Sequence, residues 1–218
     1  MPDTLCLLVC AITRPEMDAV LAEAGWDDVV ARSFPACCGV PALGAEKIEA
    51  LTADINDLTR TEVLGSSCLC KLNPGRHNSV HIRRLTQCFE LFAPTDLVTK
   101  HLEAGAYLLT PGWLRDWQSH FTEWGFDRTQ ARSFFKQFAS QLVLLDTGID
   151  ADASEHLRAF ASFVSRPHTV EHVGLQTLRA LLSAIVAGWH TGRPCGTVPE
   201  LCTSKTQRPT RSTWSQPG

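Results

Sequence analysis

The chain has 218 residues and a formal net charge of −3, with 44% hydrophobic and 20% charged residues. Its mean hydropathy is −0.04. These are ordinary globular values, and they exclude disorder, collagen and coiled coil for the bulk of the chain. A pI near 6.2 leaves no global basic field to gather nucleic acid. The unusual feature is nine cysteines, too few for a small disulfide scaffold and high for a soluble intracellular enzyme.

The start, MPDTLCLLVCAITRP, has an apolar run with no Lys or Arg ahead of it and Asp3 where a signal peptide carries positive charge. From Leu5 to Ile12 the run is far short of the roughly 20 residues of a membrane span, so it reads as a buried first strand. Without an export signal the expected location is cytoplasmic and reducing, with the cysteines as thiols or ligands.

Short apolar runs then alternate with amphipathic stretches, the pattern of βα units. Thr13 and Pro15 suit the start of a helix carrying Met17, Val20, Leu21 and Ala24, and Gly25 ends it. Residues 28–34 read as a second strand, 44–51 as a helix, 62–66 as a third strand and 80–85 as a fourth. A helix over 95–103 is closed by Gly105 and followed by the strand Ala106-Tyr107-Leu108-Leu109. Trp113, Leu114, Trp117 and Phe121 form the apolar face of the next helix, and Phe134, Phe135 and Phe138 that of another. Leu142-Val143-Leu144-Leu145 is the clearest strand, followed by a helix over 153–164, a short strand over 170–173 and a last helix over 175–187. The expected fold is α/β, a mainly parallel sheet of about five or six strands flanked by helices, forming a single domain over residues 1–188.

Residues 189–218 differ in character. Sixteen of these thirty are Thr, Ser, Pro or Gly, and they carry +3 against −6 on the rest. Such a composition buries too little apolar surface to offset its ordering entropy, so a disordered polar tail is expected there. Its Cys195 and Cys202 are left out of any site. A folded region ending in such a tail is the pattern of a domain cut from a longer protein or of a shifted reading frame.

Six of the seven remaining cysteines fall at or just beyond strand ends: Cys10, Cys37, Cys38, Cys68, Cys70 and Cys88. In an open parallel sheet that edge is where ligands bind. Soft thiolates select zinc, Cu(I) and iron–sulfur centres, so Cys37, Cys38, Cys68, Cys70 and Cys88 are the candidate metal ligands, with His77 and His81 as neighbours. Neither CC nor CxC is the paired CxxC of a zinc ribbon. Two other readings stay open: small buried hydrophobes, which is the reading for Cys6, and thiol chemistry at Cys68 or Cys70.

Thr110 and Pro111 suit the N-cap and first turn of a helix whose free N–H groups face the same edge, with Trp113 beside them. Asp146, in LLDTG, ends the next strand and suits a metal, a hydroxyl or a turn. Thr110, Trp113 and Asp146 are therefore candidate cofactor-binding residues. The DTG letters match an aspartic-protease triplet, but the α/β pattern and the lack of a second copy reject that reading. His168, Glu171, His172 and His156 read as scattered polar groups. No GxGxxG, P-loop, HExxH or GxSxG is present.

At GAYLLTPGWLRDW, WGFD, LVLLDTG and EHVGL, from about Cys88 to Val186, the chain resembles the uncharacterised family called domain of unknown function sixteen-thirty-eight. That family occurs as free-standing proteins in methanogens and in methylamine-metabolism gene neighbourhoods, and a subset is similar to the N-terminal portion of bacterial sensor histidine kinases. The wording here is closest to that subset. Positions matching the family's recurring residues are Cys68, Cys70, Cys88, Thr110, Pro111, Trp113 and Asp146. The loop that often reads LCGNG in relatives is SCLCKLNPG here. The resemblance implies the input part of a two-component signalling protein, with a histidine kinase region as partner, and brings no established reaction. The expected function is a sensory or binding domain holding a thiolate-bound metal, an iron–sulfur centre or a corrinoid. The alternatives are a cysteine-dependent enzyme of one-carbon or corrinoid-linked metabolism and a truncated domain without ligand.

Overall fold

The computed structural model describes residues 3–36, 44–55, 58–69, 72 and 79–192. Cys37, Cys38, Cys70, His77, Cys195 and Cys202 lie outside the described residues, as does the expected disordered tail beyond residue 192.

The first half of the chain runs β1 (Thr4–Cys10), α1 (Arg14–Ala24), β2 (Val29–Phe34), α2 (Ala45–Thr52), β3 (Leu58–Gly65) and β4 (Val80–Arg84). The second runs α3 (Thr95–Glu103), β5 (Ala106–Leu109), α4 (Pro111–Arg115), α5 (Trp117–Trp124), α6 (Arg128–Phe138), β6 (Gln141–Asp146), α7 (Ala153–Val164), β7 (His168–His172) and α8 (Gln176–His190). The α/β class and the parallel pairing match the expectation. The described strands divide between two parallel sheets, ordered β2-β1-β3-β4 and β5-β6-β7. Among the described residues no helix is long and apolar enough to cross a membrane.

Strand β1 shows why both faces of the first sheet are covered. Its side chains alternate between faces. Leu5, Leu7 and Val9 pack against Met17 and Val20 of α1 and against α8, whereas Leu8 packs with Phe34, Ile48 and Val63 on the α2 side. A strand buried on both faces reads as a continuous apolar run, which LCLLV does. Cys6 is fully buried mid-strand, as its filler reading requires, and burial pushes its thiol up to about 11. In the second sheet Leu142 and Leu144 face α4–α7, while Val143 and Leu145 face α3. The α4–α7 side combines aliphatic residues with an aromatic cluster, in which Trp113, Trp117, Phe121, Phe135 and Phe160 make edge-on or tilted contacts.

Helix α8 joins the halves. It leaves β7 through Gly174 and returns to the first sheet, where Leu178, Leu182, Ile185 and Val186 complete the α1 side of that core. Their spacing places them on one stripe. The helix runs through His190, which bonds Asp28 at 2.8 Å, so regular structure continues past the boundary expected at residue 188.

The connections after β1 and β5 meet directly. A Cβ at Gly112 would overlap the Ile12 carbonyl oxygen, so only glycine permits this approach. Gly112→Ala is expected to lower stability by about 1–3 kcal/mol through overpacking. Gly44→Ala, with nothing within 4 Å of its added methyl group, is expected to change it by less than about 0.5 kcal/mol. Urea unfolding of the two variants checks both values.

Candidate functional site

The order β2-β1-β3-β4 creates a topological switch point. The chain leaves β1 toward β2 on one side, then enters β3 on the other. Connections from the carboxyl ends of β1 and β3 therefore diverge and leave a crevice, the place where open parallel sheets bind ligands. Cys10 is the last residue of β1, and Cys68 lies in the short 3-10 turn Ser67–Leu69 just after β3. Cys88 opens a second such turn, Cys88–Leu91, beyond β4. Of the five candidate metal ligands, Cys68 and Cys88 are described, and the structure brings them together. Cys10, which the sequence reading placed at the edge without assigning it as a ligand, packs with Cys68 against the cluster of Leu8, Phe34 and Val63.

The local chain explains the arrangement. Gly65 ends β3 where an added Cβ would stand only 3.0 Å from the Cys68 sulfur, so the absence of a side chain lets this thiol fold back over the strand end. Leu85 donates its N–H to the Gly65 carbonyl at 2.8 Å, and the Arg84 guanidinium donates to the Leu72 carbonyl at 2.6 Å. These bonds fix the start of the segment that leads to Cys88. The Ser66 hydroxyl lies 3.0 Å from the Cys88 sulfur.

These contacts divide the proton between the two thiols. Cys68 donates a hydrogen bond to Cys88, and Ser66 adds its hydroxyl and backbone. Together they outweigh burial and pull the Cys88 thiol down to about 6. Cys68 is pushed up, first because it keeps the proton it donates and second by burial. The arrangement favours ionisation of Cys88 over Cys68, with a thiol and a hydroxyl placed to solvate the Cys88 sulfur. His81, on β4, is shifted down by burial first and by Arg60 second.

The remaining candidates sit at the carboxyl edge of the second sheet. Thr110 is the N-cap residue of α4 and is buried, but its side chain makes no capping bond. Trp113 stands among Tyr107, His120 and Phe160 in the aromatic core. Asp146 ends β6 and accepts from the Gly148 N–H at 2.9 Å. Its other oxygen lies 2.9 Å from Nδ1 of His172, its register partner on β7. The sequence showed His172 only as one of several scattered histidines.

One residue of this edge was not anticipated. Glu16, in the first turn of α1, is 1% exposed. One carboxylate oxygen accepts from the Thr147 hydroxyl at 3.3 Å, and the other has no hydrogen-bond partner. Nothing local marks it, since an acidic residue in a first helical turn is commonplace. An open hollow of about 270 Å³ lined by Trp117, Gln118, Phe121, Thr122, Phe126 and Phe163 holds no titratable group and is not a candidate for chemistry.

Residues 65–182 match the family described as protein of unknown function (DUF1638). The chain belongs to the DUF1638 family. The matched region includes Cys68, Cys88, Thr110, Trp113, Asp146 and Thr147 and begins after Cys10 and Glu16. Comparison with curated proteins and with solved structures finds no match.

Among the described residues of this DUF1638 protein, no three His, Cys, Asp or Glu side chains are gathered as a metal-holding group. The described soft donors are the Cys68–Cys88 pair, with Cys10 alongside. Cys88 should alkylate with a midpoint below the ordinary thiol range, and Cys68→Ala should move that midpoint up toward that range, because the largest stabilising bond is gone. Ser66→Ala should move it less. Iodoacetamide labelling followed by peptide mass spectrometry across pH 5–9 measures all three.

Proposed function

We propose that this DUF1638 protein is a binding domain for a thiophilic metal ion or a metal-containing cofactor, held by thiolates at the β1/β3 switch point. The observation that carries the reading is the Cys68–Cys88 pair, with Ser66 lowering the proton affinity of Cys88. A thiolate is the form that ligates metals, and here the fold favours it before any metal arrives. Two thiolates suit a Cu(I) ion, which is stable with two sulfur ligands, or an open coordination position of a larger metal centre. Cys68 and Cys88 would hold the group, with Cys10 a further described thiol beside Cys68, and Ser66 would keep a hydrogen bond on the Cys88 sulfur. Cys37, Cys38 and Cys70 belong to the same proposed ligand set by sequence.

As an input domain, the protein would act by differing in conformation or dynamics between its free and loaded states. Helix α8 is the element suited to transmit the difference, because it starts beside β7 and forms much of the core over β1. A signalling partner such as a histidine kinase region would then read the position of α8.

The lowered proton affinity of Cys88 also supports a second reading, a cysteine nucleophile in an enzyme of one-carbon or corrinoid-linked metabolism. The donors around its sulfur, Cys68 and Ser66, solvate a thiolate without serving as a base, so metal ligation is the better supported role.

The full chain, purified without oxygen and titrated with Cu(I) in competition with a colorimetric chelator, is expected to take up about one equivalent. Replacing both Cys68 and Cys88 by Ser should weaken binding at least about 100-fold, a loss of roughly 2.7 kcal/mol, whereas Cys195→Ser should leave it unchanged. Equal binding by the double variant would overturn the proposal.

A further inference from the structure

Six polar or charged residues are buried among the described residues: Thr13, Glu16, Thr61, Glu62, Thr110 and Thr147. Two are explained inside the first sheet, where Thr61 lies in β3 and Glu62 accepts from the Arg60 guanidinium at 2.8 Å. The other four lie on the connections after β1, β5 and β6, where the carboxyl edges of the two sheets face each other. The Glu16 carboxyl reaches across this seam to Thr147, a residue 131 positions away in sequence. Beside it, the Ile12 carbonyl packs on Gly112. Across the seam a carboxylate meets a hydroxyl and a backbone carbonyl meets a glycine, between two apolar cores.

An unpartnered oxygen on a buried carboxylate is costly, and a buried negative charge needs a positive partner. Among the described residues, no cation is bonded to Glu16. The charged groups facing it are Arg115 on α4 and Asp150 on the connection before α7. Those two bond each other at 2.8 Å, so they bring little net charge to Glu16. Burial shifts the Glu16 carboxyl up, with smaller opposing effects from its own backbone N–H, Thr147 and Arg115.

We propose that this seam binds a small monovalent cation, ammonium or an alkali-metal ion, with the unpartnered Glu16 oxygen as its charged ligand. The Thr147 hydroxyl, 3.3 Å from the other Glu16 carboxylate oxygen, would be a second ligand, and Thr13 and Thr110 are buried hydroxyls on the connections after β1 and β5. Hard oxygen donors take hard cations, so this site is chemically separate from the thiols and does not depend on them. Binding across the seam fastens the β1–α1 connection to the β5–α4 and β6–α7 connections. The cation and a proton compete for the same carboxylate, so binding strengthens as pH rises through the Glu16 titration.

The test is thermal unfolding of the full chain at constant ionic strength, with choline chloride replaced stepwise by ammonium, potassium or sodium chloride. At a hundredfold excess over Kd, the effective cation should raise Tm by about 5–10 °C relative to choline, and the rise should grow as pH increases through the Glu16 titration, which burial moves above the ordinary carboxyl value. A response to ammonium alone assigns the ligand as ammonium, and a response to potassium or sodium assigns it as an alkali ion. Glu16→Gln, close to isosteric, should abolish the response, while Glu155→Gln on the exposed face of α7 should retain it. The proposal is overturned if no small cation exceeds choline by more than about 1 °C, or if Glu16→Gln responds like the native chain. It is equally overturned if the native response weakens as pH rises, the reverse of competition with a proton, a readout that requires no variant.

Discussion

The close approach of Gly112 to the Ile12 carbonyl is the contact on which the arrangement depends. Two parallel sheets, each covered by helices on both faces, have only their strand edges left through which to meet. They meet at the carboxyl edges, because the connection after β1 and the one after β5 fit together when one of them carries no side chain. Helix α8 reinforces the contact from behind by filling the first core from the second half of the chain, and its Arg179 pairs with Glu23 on α1. The result is a single seam where the carboxyl edges of the two sheets meet.

Two kinds of chemistry lie along that seam. On the first sheet, sulfur atoms gather at the switch point, where the divergence of β1 and β3 leaves space. The Ser66 hydroxyl and the Cys68 thiol both favour ionisation of Cys88. Between the sheets, the buried carboxylate of Glu16 meets the Thr147 hydroxyl. The Asp146–His172 pair occupies a third position on the same edge, with the imidazole tied through Nδ1 to a carboxylate that also holds the Gly148 turn. A carboxylate used in this way fixes a tautomer and a ring orientation, a supporting role before a chemical one.

Much of the fold was legible because it rests on local patterns. The helices over 95–103 and 153–164 and the strand over 106–109 lie where apolar spacing, caps and glycines place them. Strand β1 showed its two-sided burial in an unbroken apolar run. The division into two sheets was not legible, since no local pattern records which edge strand lacks a neighbour. The positions of Cys68 and Cys88 beyond strand ends were readable, but not their contact, which depends on Gly65 letting the Cys68 sulfur fold back. Glu16 was invisible, because its burial follows from docking against Thr147. His172 was equally hidden, its role set by the register of β6 against β7.

The central claim is that the thiols at the β1/β3 switch point form a ligand site rather than core filling. X-ray absorption spectroscopy of the full chain loaded with a single equivalent of zinc or copper tests it most directly. The account predicts a sulfur shell, near 2.3 Å for zinc, that disappears when Cys68 and Cys88 are both replaced by Ser. A first shell of nitrogen and oxygen alone, at about 2.0–2.1 Å, or a sulfur shell unchanged in the double variant, would contradict it.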